Sequence, residues 1–200
     1  RFNFSNILAV ITTLISLMTR EDSEHVDLAK ILDSISSLSS ADGRMEIVNG
    51  SNEITTIVDY AHTPDSLKNA LETLKCHFKG EIWCVFGCGG NRDEGKRPIM
   101  GEIAESFADH IVITDDNPRN EPGDRIVSQI LSGIQKHQNV SIIRNRAKAI
   151  SHAITNASPA DLIFIAGKGH ETYQEISGRR VIFSDKVHAK SALRARGSVA

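Results

Sequence analysis

The chain has only three cysteines, Cys76, Cys84 and Cys88, and no C-x-x-C pair. An odd number without that spacing indicates neither a disulfide framework nor a zinc site. Charge of one sign is also missing. The 23 basic and 25 acidic residues leave a net charge of −2, so no bulk basic field draws nucleic acid or an anionic membrane. Nor is there a long apolar run. The longest, Ile7 to Met18, is interrupted by two threonines and a serine and is too short to span a bilayer. It lacks the basic start and small-residue cleavage site of a signal peptide. No internal repeat or low-complexity tract is visible. These absences point to the cytoplasm, where free thiols persist. What is present is an ordinary globular balance over 200 residues, 40% apolar and 24% charged, which excludes a disordered or collagen-like chain.

Arg1 stands where a methionine would open a complete protein, and Asn6 to Met18 already reads as a helix. The expectation is a cut inside a larger protein. Leu28, Ile31, Leu32, Ile35 and Leu38 have the spacing of a second helix face, over Asp27 to Ser39. The run Ser39 to Gly43 is loop-like and marks the expected domain boundary. Beyond it strands and helices alternate. Strands are predicted at Met45–Val48, Ile54–Val58, Glu81–Phe86, His110–Thr114, Val140–Ile143 and Asp161–Ala166. Helices are predicted at Pro64–His77, Pro98–Ala108, Gly123–His137 and Ala147–Asn156, and a hairpin at Tyr173–Phe183 turning at Ser177-Gly178. This is the rhythm of βαβ units, a mostly parallel sheet covered on both faces.

In such sheets ligands bind beyond the carboxyl ends of the strands. Three polar clusters fall there: Gly87 to Arg97, Asp115 to Arg119, and Gly167 to Glu171. In the first, glycines permit positive φ and close approach of a ligand, although a tight strand-to-helix turn explains them equally well. Gly90 to Arg97 nearly spells a phosphate-binding loop, but Arg97 stands where Ser or Thr must hold magnesium. Pro118 stiffens the second cluster and keeps Asn117 extended. The planar fork of Arg119 suits a carboxylate, against the plainer reading of Asn and Asp as turn formers. In the third, Glu171 could accept from an ammonium group and Gly167 could offer its carbonyl, while a lone His170 is more often a structural hydrogen bonder. Cys84 reads as core, and Cys88 has no adjacent base to make it a nucleophile.

Taken in order, Val58 to Asp65, Phe86 to Asp93, Asp116 to Arg119 and Ala166 to Glu171 resemble the Mur ligase family, and within it the MurE branch. Phe2 to Asn6 and Gly43 to Glu46 resemble the end of that family's central ATPase domain and the entry to its C-terminal domain. The resemblance implies residues 1–43 as the tail of the central domain and 44–200 as a Rossmann-like C-terminal domain, an α/β fold. It also implies an ATP- and Mg2+-dependent amide ligase of peptidoglycan synthesis. Such an enzyme joins meso-diaminopimelate to UDP-N-acetylmuramoyl-L-alanyl-D-glutamate through an acyl phosphate.

By the same resemblance Arg92, Asp116, Asn117, Pro118, Arg119, Gly167 and Glu171 form the diaminopimelate pocket, and Asn6, Arg44, Asp59 and His62 lie on the ATP side. The charges agree with this. Arg119 and Arg92 would grip the carboxylate that distinguishes meso-diaminopimelate from lysine, and Glu171, Asn117 and the Gly167 carbonyl would receive the neighbouring ammonium. The family's phosphate-binding loop, its UDP-binding domain and its metal-holding lysine are not in the sequence, so no catalytic or metal residue is assigned and the expected partners include those missing domains. Competing expectations are a folylpolyglutamate synthetase-type ligase, a non-catalytic Mur-like binding module and, poorly, a nicotinamide dehydrogenase.

Overall fold

The computed structural model describes residues 9–13, 15–16, 33, 41–48 and 54–197. The chain divides into two compact units, 1–40 and 41–200. In the first, every described residue is helical, and the Thr13 hydroxyl donates to the Ala9 carbonyl at 2.8 Å. The remainder of the two predicted helices, Asn6 to Met18 and Asp27 to Ser39, lies outside the described residues, as does Asn6 itself.

The second unit is an α/β sandwich. Its strands are β1 (Glu46–Ile47), β2 (Thr55–Asp59), β3 (Ile82–Phe86), β4 (His110–Ile113), β5 (Val140–Ile142), β6 (Leu162–Ala166), β7 (Tyr173–Ile176) and β8 (Arg179–Ile182). Its helices are α1 (Pro64–His77), α2 (Lys96–Phe107), α3 (Gly123–Leu131), α4 (Arg146–Asn156) and α5 (Asp185–Gly197). Six strands form one sheet in the order β1-β2-β6-β3-β4-β5, parallel except for β1. The separate β7–β8 hairpin turns at Ser177-Gly178, as predicted. Among the described residues no helix is long and apolar enough to cross a membrane.

Strand alternation decides which helices cover which face. Ile82, Cys84 and Phe86 of β3 point to one side with Leu162, Phe164 and Ala166 of β6, where α1, α2 and α3 bury Leu67, Leu71, Met100, Ala104, Ile126 and Ile130. Trp83, Val85, Ile163 and Ile165 point to the other, against Ala149, Ile150, Ala153 and Ile154 of α4 and Ala189 and Leu193 of α5. Every residue of β3 and β6 is buried, which is why both read as unbroken apolar runs.

Helix α1 starts where the sequence says it should. Ser66 N–H donates to the Thr63 hydroxyl at 3.3 Å and Thr63 N–H to the Ser66 hydroxyl at 3.0 Å, a reciprocal cap, with Pro64 at the first helical position. Helix α3 is shorter than predicted, ending at Leu131 instead of His137. The cause is packing: a side chain on Gly133 would lie 1.8 Å from the Pro98 carbonyl oxygen, so the chain turns there and lays Ile134 into the core. Helix α5 had no sequence signal. Ala189 and Leu193 are its only buried apolar residues, and its first residue, Asp185, is a buried carboxylate.

Candidate functional site

The carboxyl ends of four adjacent strands, β2, β6, β3 and β4, surround a cleft of about 470 Å³. Tyr60, His62 and Thr63 reach it from β2, Gly167 and Glu171 from β6, Gly87 to Gly89, Arg92, Asp93 and Lys96 from β3, and Asp116, Asn117 and Arg119 from β4. Six of the seven residues expected to hold a diamino acid therefore share one cavity. The seventh, Pro118, serves through its backbone: its carbonyl accepts from Glu121 N–H at 3.0 Å.

The glycine loop after β3 is built differently from expectation. None of Gly87, Gly89 and Gly90 has positive φ, which falls instead on Asn91 (53°) and on Arg119 (52°). These glycines answer to crowding. A side chain on Gly90 would sit 2.0 Å from the Pro118 carbonyl oxygen, where Gly90 N–H donates to Asn117 O at 2.9 Å. Arg97 fixes the loop from behind. Its fully buried guanidinium donates to the Gly89 carbonyl at 3.1 Å and makes two bonds to the Glu121 carboxylate at 2.6 and 2.8 Å. Glu121 in turn accepts from Asn91 N–H at 3.0 Å.

These Arg97 bonds, with Asn91 N–H and nearby Arg125, outweigh burial and hold the Glu121 carboxyl down to about 2. A depressed folded-state value gives stability that is fully present above the ordinary value near 4.5 and is lost as pH falls toward 2. Urea unfolding followed between pH 6 and pH 2 is expected to show this loss, about 2 kcal/mol from Glu121. Glu121→Gln should flatten that part of the profile and lower stability at neutral pH.

Two arginines, Arg119 and Arg92, line the cleft. One nitrogen of Arg119, Nη1, donates to Gly90 O at 2.9 Å, and Nε lies 3.4 Å from the Glu175 carboxylate, which leaves Nη2 as the arm without a bond among the described residues. Arg92 is exposed and has no ion pair among the described residues. Asp116 lines the same cleft and is 8% exposed. Its carbonyl accepts from the buried Gln174 amide at 2.7 Å, yet among the described residues no donor is hydrogen-bonded to its carboxylate. Burial pushes the Asp116 carboxyl up, against the pull of Arg146 and Lys168. A side chain on Gly167 (φ 118°) would come within 2.6 Å of Asp116 Oδ2, so glycine keeps that approach open.

Glu171 is not idle. Its Oε2 accepts from Lys168 Nζ at 2.8 Å and from Asn117 Nδ2 at 3.0 Å. Asn117 Oδ1 accepts from Lys168 Nζ at 3.0 Å and from Glu175 N–H at 2.9 Å, so the expected ammonium acceptor already holds two donors. Burial raises the Glu171 carboxyl, but the Lys168 and Asn117 bonds more than offset it, leaving it below the ordinary range.

Of the residues expected on the ATP side, Arg44 lies 4.6 Å over the Tyr60 ring, which also meets the rings of His62 and His170 at 4.6 and 5.4 Å. His62 Nδ1 donates to Tyr60 O at 2.8 Å. Asp59, at the end of β2, accepts from Met45 N–H at 2.7 Å, and burial raises its carboxyl despite the Met45 and Ala61 N–H bonds. Arg44 and His62 therefore meet at the Tyr60 ring, Asp59 immediately precedes Tyr60 in the chain, and Asn6 is not among the described residues. No group of three His, Cys, Asp or Glu among the described residues could hold a metal ion. Burial lifts the Cys88 thiol to about 12, which suits the inert role expected of it.

Sequence reasoning missed Lys168, Arg97, Arg146 and Tyr60. Lys168 lay inside a motif already singled out, but nothing local marks a lysine as fully buried. Arg146 is paired with Asp185 at 2.7 Å and donates to the Ala166 carbonyl at 2.9 Å, behind the cleft floor.

Residues 43–169 match the Mur ligase family, in its glutamate ligase domain. Over 185 residues, 92% of this chain, the sequence is 49% identical to a UDP-N-acetylmuramoyl-L-alanyl-D-glutamate–2,6-diaminopimelate ligase of Haemophilus influenzae (strain PittGG). The alignment covers 36% of that relative, so the chain spans little more than a third of its length. A solved structure of a ligase with the same name superposes with a TM-score of 0.75 at 40% identity, covering 96% of this chain and 39% of that one. A bifunctional folylpolyglutamate synthase/dihydrofolate synthase, solved with Mn, AMPPNP and L-glutamate, shares the fold at 18% identity and a TM-score of 0.59, over 82% of this chain and 37% of its own.

Proposed function

Because the chain belongs to the Mur ligase family, we propose that residues 44–200 form the amino-acid-binding domain of a cytoplasmic ligase that adds meso-diaminopimelate to UDP-N-acetylmuramoyl-L-alanyl-D-glutamate. Residues 1–43 are then the tail of that enzyme's central ATPase domain. One observation carries the reading. Arg119, with an open guanidinium arm, and Asp116, a buried carboxylate without a protein donor, line the same cleft. A zwitterionic end, one carboxylate beside one ammonium, satisfies both walls, whereas the plain ammonium of lysine leaves the guanidinium wall unpaired.

The domain's own work is positioning. Arg119 and Arg92 hold the distal carboxylate. Asp116, the Gly167 carbonyl and Glu171 take the adjacent ammonium, so that the other amine of the ligand faces outward to react. ATP would supply the phosphoryl group that activates the acceptor carboxylate. Arg44, Asp59 and His62 suit one edge of that nucleotide: a cation for phosphate and a carboxylate for hydroxyl groups. The described residues hold no cluster for Mg2+, and no metal-binding role is proposed for them.

Calorimetric titration with meso-diaminopimelate, with L-lysine as control, tests the reading. Heat of binding for the first and none for the second is expected. Equal affinity for both would refute the zwitterion argument.

A further inference from the structure

The floor of the cleft already contains an ammonium group. Lys168 is 0% exposed, and its Nζ sits between Glu171 Oε2 at 2.8 Å and Asn117 Oδ1 at 3.0 Å. The Tyr173 ring lies beneath, with its centroid 5.7 Å away. We propose that Lys168 is the positioning residue of the ammonium-receiving end of the cleft, a resident cation that aims Glu171 and Asn117 and leaves Asp116 as the open acceptor for the ligand.

The bonds give the reason. Asn117 Oδ1 takes the Lys168 ammonium and Glu175 N–H, using both lone pairs of a carbonyl oxygen, and its Nδ2 donates to Glu171. That pattern fixes the amide in one orientation. Both donors on Glu171 among the described residues fall on Oε2, which leaves Oε1 as its unbonded acceptor. Lys168 thereby neutralises Glu171, while Arg146 is committed to Asp185. Of Asp116 and Glu171, the two cleft carboxylates near Lys168, Asp116 is the one without a bonded cation among the described residues. The Lys168 end of the cleft therefore keeps one uncompensated carboxylate, the complement of a single ammonium group. Without Lys168, Glu171 would be a second such carboxylate, free to swing, and the balance would shift toward dicationic ligands.

This inference rests on the meso-diaminopimelate reading above, and the wild-type titration separates the two. If the wild-type chain does not bind meso-diaminopimelate, that reading fails. If it binds, Lys168→Ala is the test of the inference. Its dissociation constant for meso-diaminopimelate is expected to rise about 10- to 100-fold, the cost of losing hydrogen bonds to a charged group. Adding n-propylamine, which replaces the deleted methylenes and ammonium, should recover most of the loss, while n-propanol, of the same shape without charge, should not. Wild-type affinity in the variant overturns the proposal. So does weakened binding that n-propylamine leaves unrestored, since the lysine would then matter only for packing. Should the alanine variant not fold, Lys168→Met keeps the volume without the charge. The same 10- to 100-fold loss is expected there, and unchanged affinity again overturns the proposal.

Discussion

Arg119→Ala is expected to weaken the proposed binding of meso-diaminopimelate by about 100- to 1,000-fold, the loss expected when one member of a buried charge pair is removed. The side chain is held in place before any ligand arrives. Its own residue sits at φ 52°, Arg119 N–H donates to Glu175 O at 3.0 Å, and Nη1 is anchored on Gly90 O at 2.9 Å. Such preorganisation keeps the entropic cost of binding low. Arg119→Lys should recover little, because a point ammonium cannot reproduce a fork that holds a carbonyl with one arm and a carboxylate with another. Titration of both variants, with melting curves to confirm folding, checks this. A loss below about fivefold for the alanine variant would move the carboxylate receptor to Arg92 alone.

Asp185→Ala is expected to cost about 3–5 kcal/mol of stability and to lower the melting temperature by roughly 10 °C. Arg146 and Asp185 are both 0% exposed in their side chains and are joined by two bonds of 2.7 Å. Deleting the carboxylate leaves a fully buried guanidinium whose remaining bonded partner among the described residues is the Ala166 carbonyl. Replacing both residues by apolar ones of similar size should recover most of the loss, because the penalty comes from the orphaned charge. Urea unfolding of the single and double variants completes the cycle. The effect should reach the cleft too, since the charges of Asp116 and Glu171 also act on Arg146.

Legibility in the sequence followed how local the physics is. Helix α1 could be read to the residue because Thr63, Pro64 and Ser66 cap it within one turn. Strands β3 and β6 could be read because burial on both faces demands an unbroken apolar run, and Ile82–Phe86 and Leu162–Ala166 supply it. The three polar clusters could be placed on one rim because parallel strands present all their carboxyl ends together. By contrast α5, with two buried apolar residues, showed no stripe, and α3 ended early because Gly133 meets a distant carbonyl.

The sequence by itself determined the α/β class, the segments that carry the site and the residue types on its walls, since each depends on periodicity, turn chemistry or a short motif. Only the tertiary structure decided which charges are spent inside the protein and which remain for a ligand. Lys168 and Asn117 are 51 positions apart, Arg97 and Glu121 are 24 apart, and Arg146 and Asp185 are 39 apart. The insertion of β6 between β2 and β3 sets Gly167 and Glu171 beside the loops of β3 and β4. A charged side chain carries no local mark of its eventual partner. Its state is set by the desolvation and the counter-charge that the fold brings to it, and here these leave Asp116 and one arm of Arg119 open to the cleft.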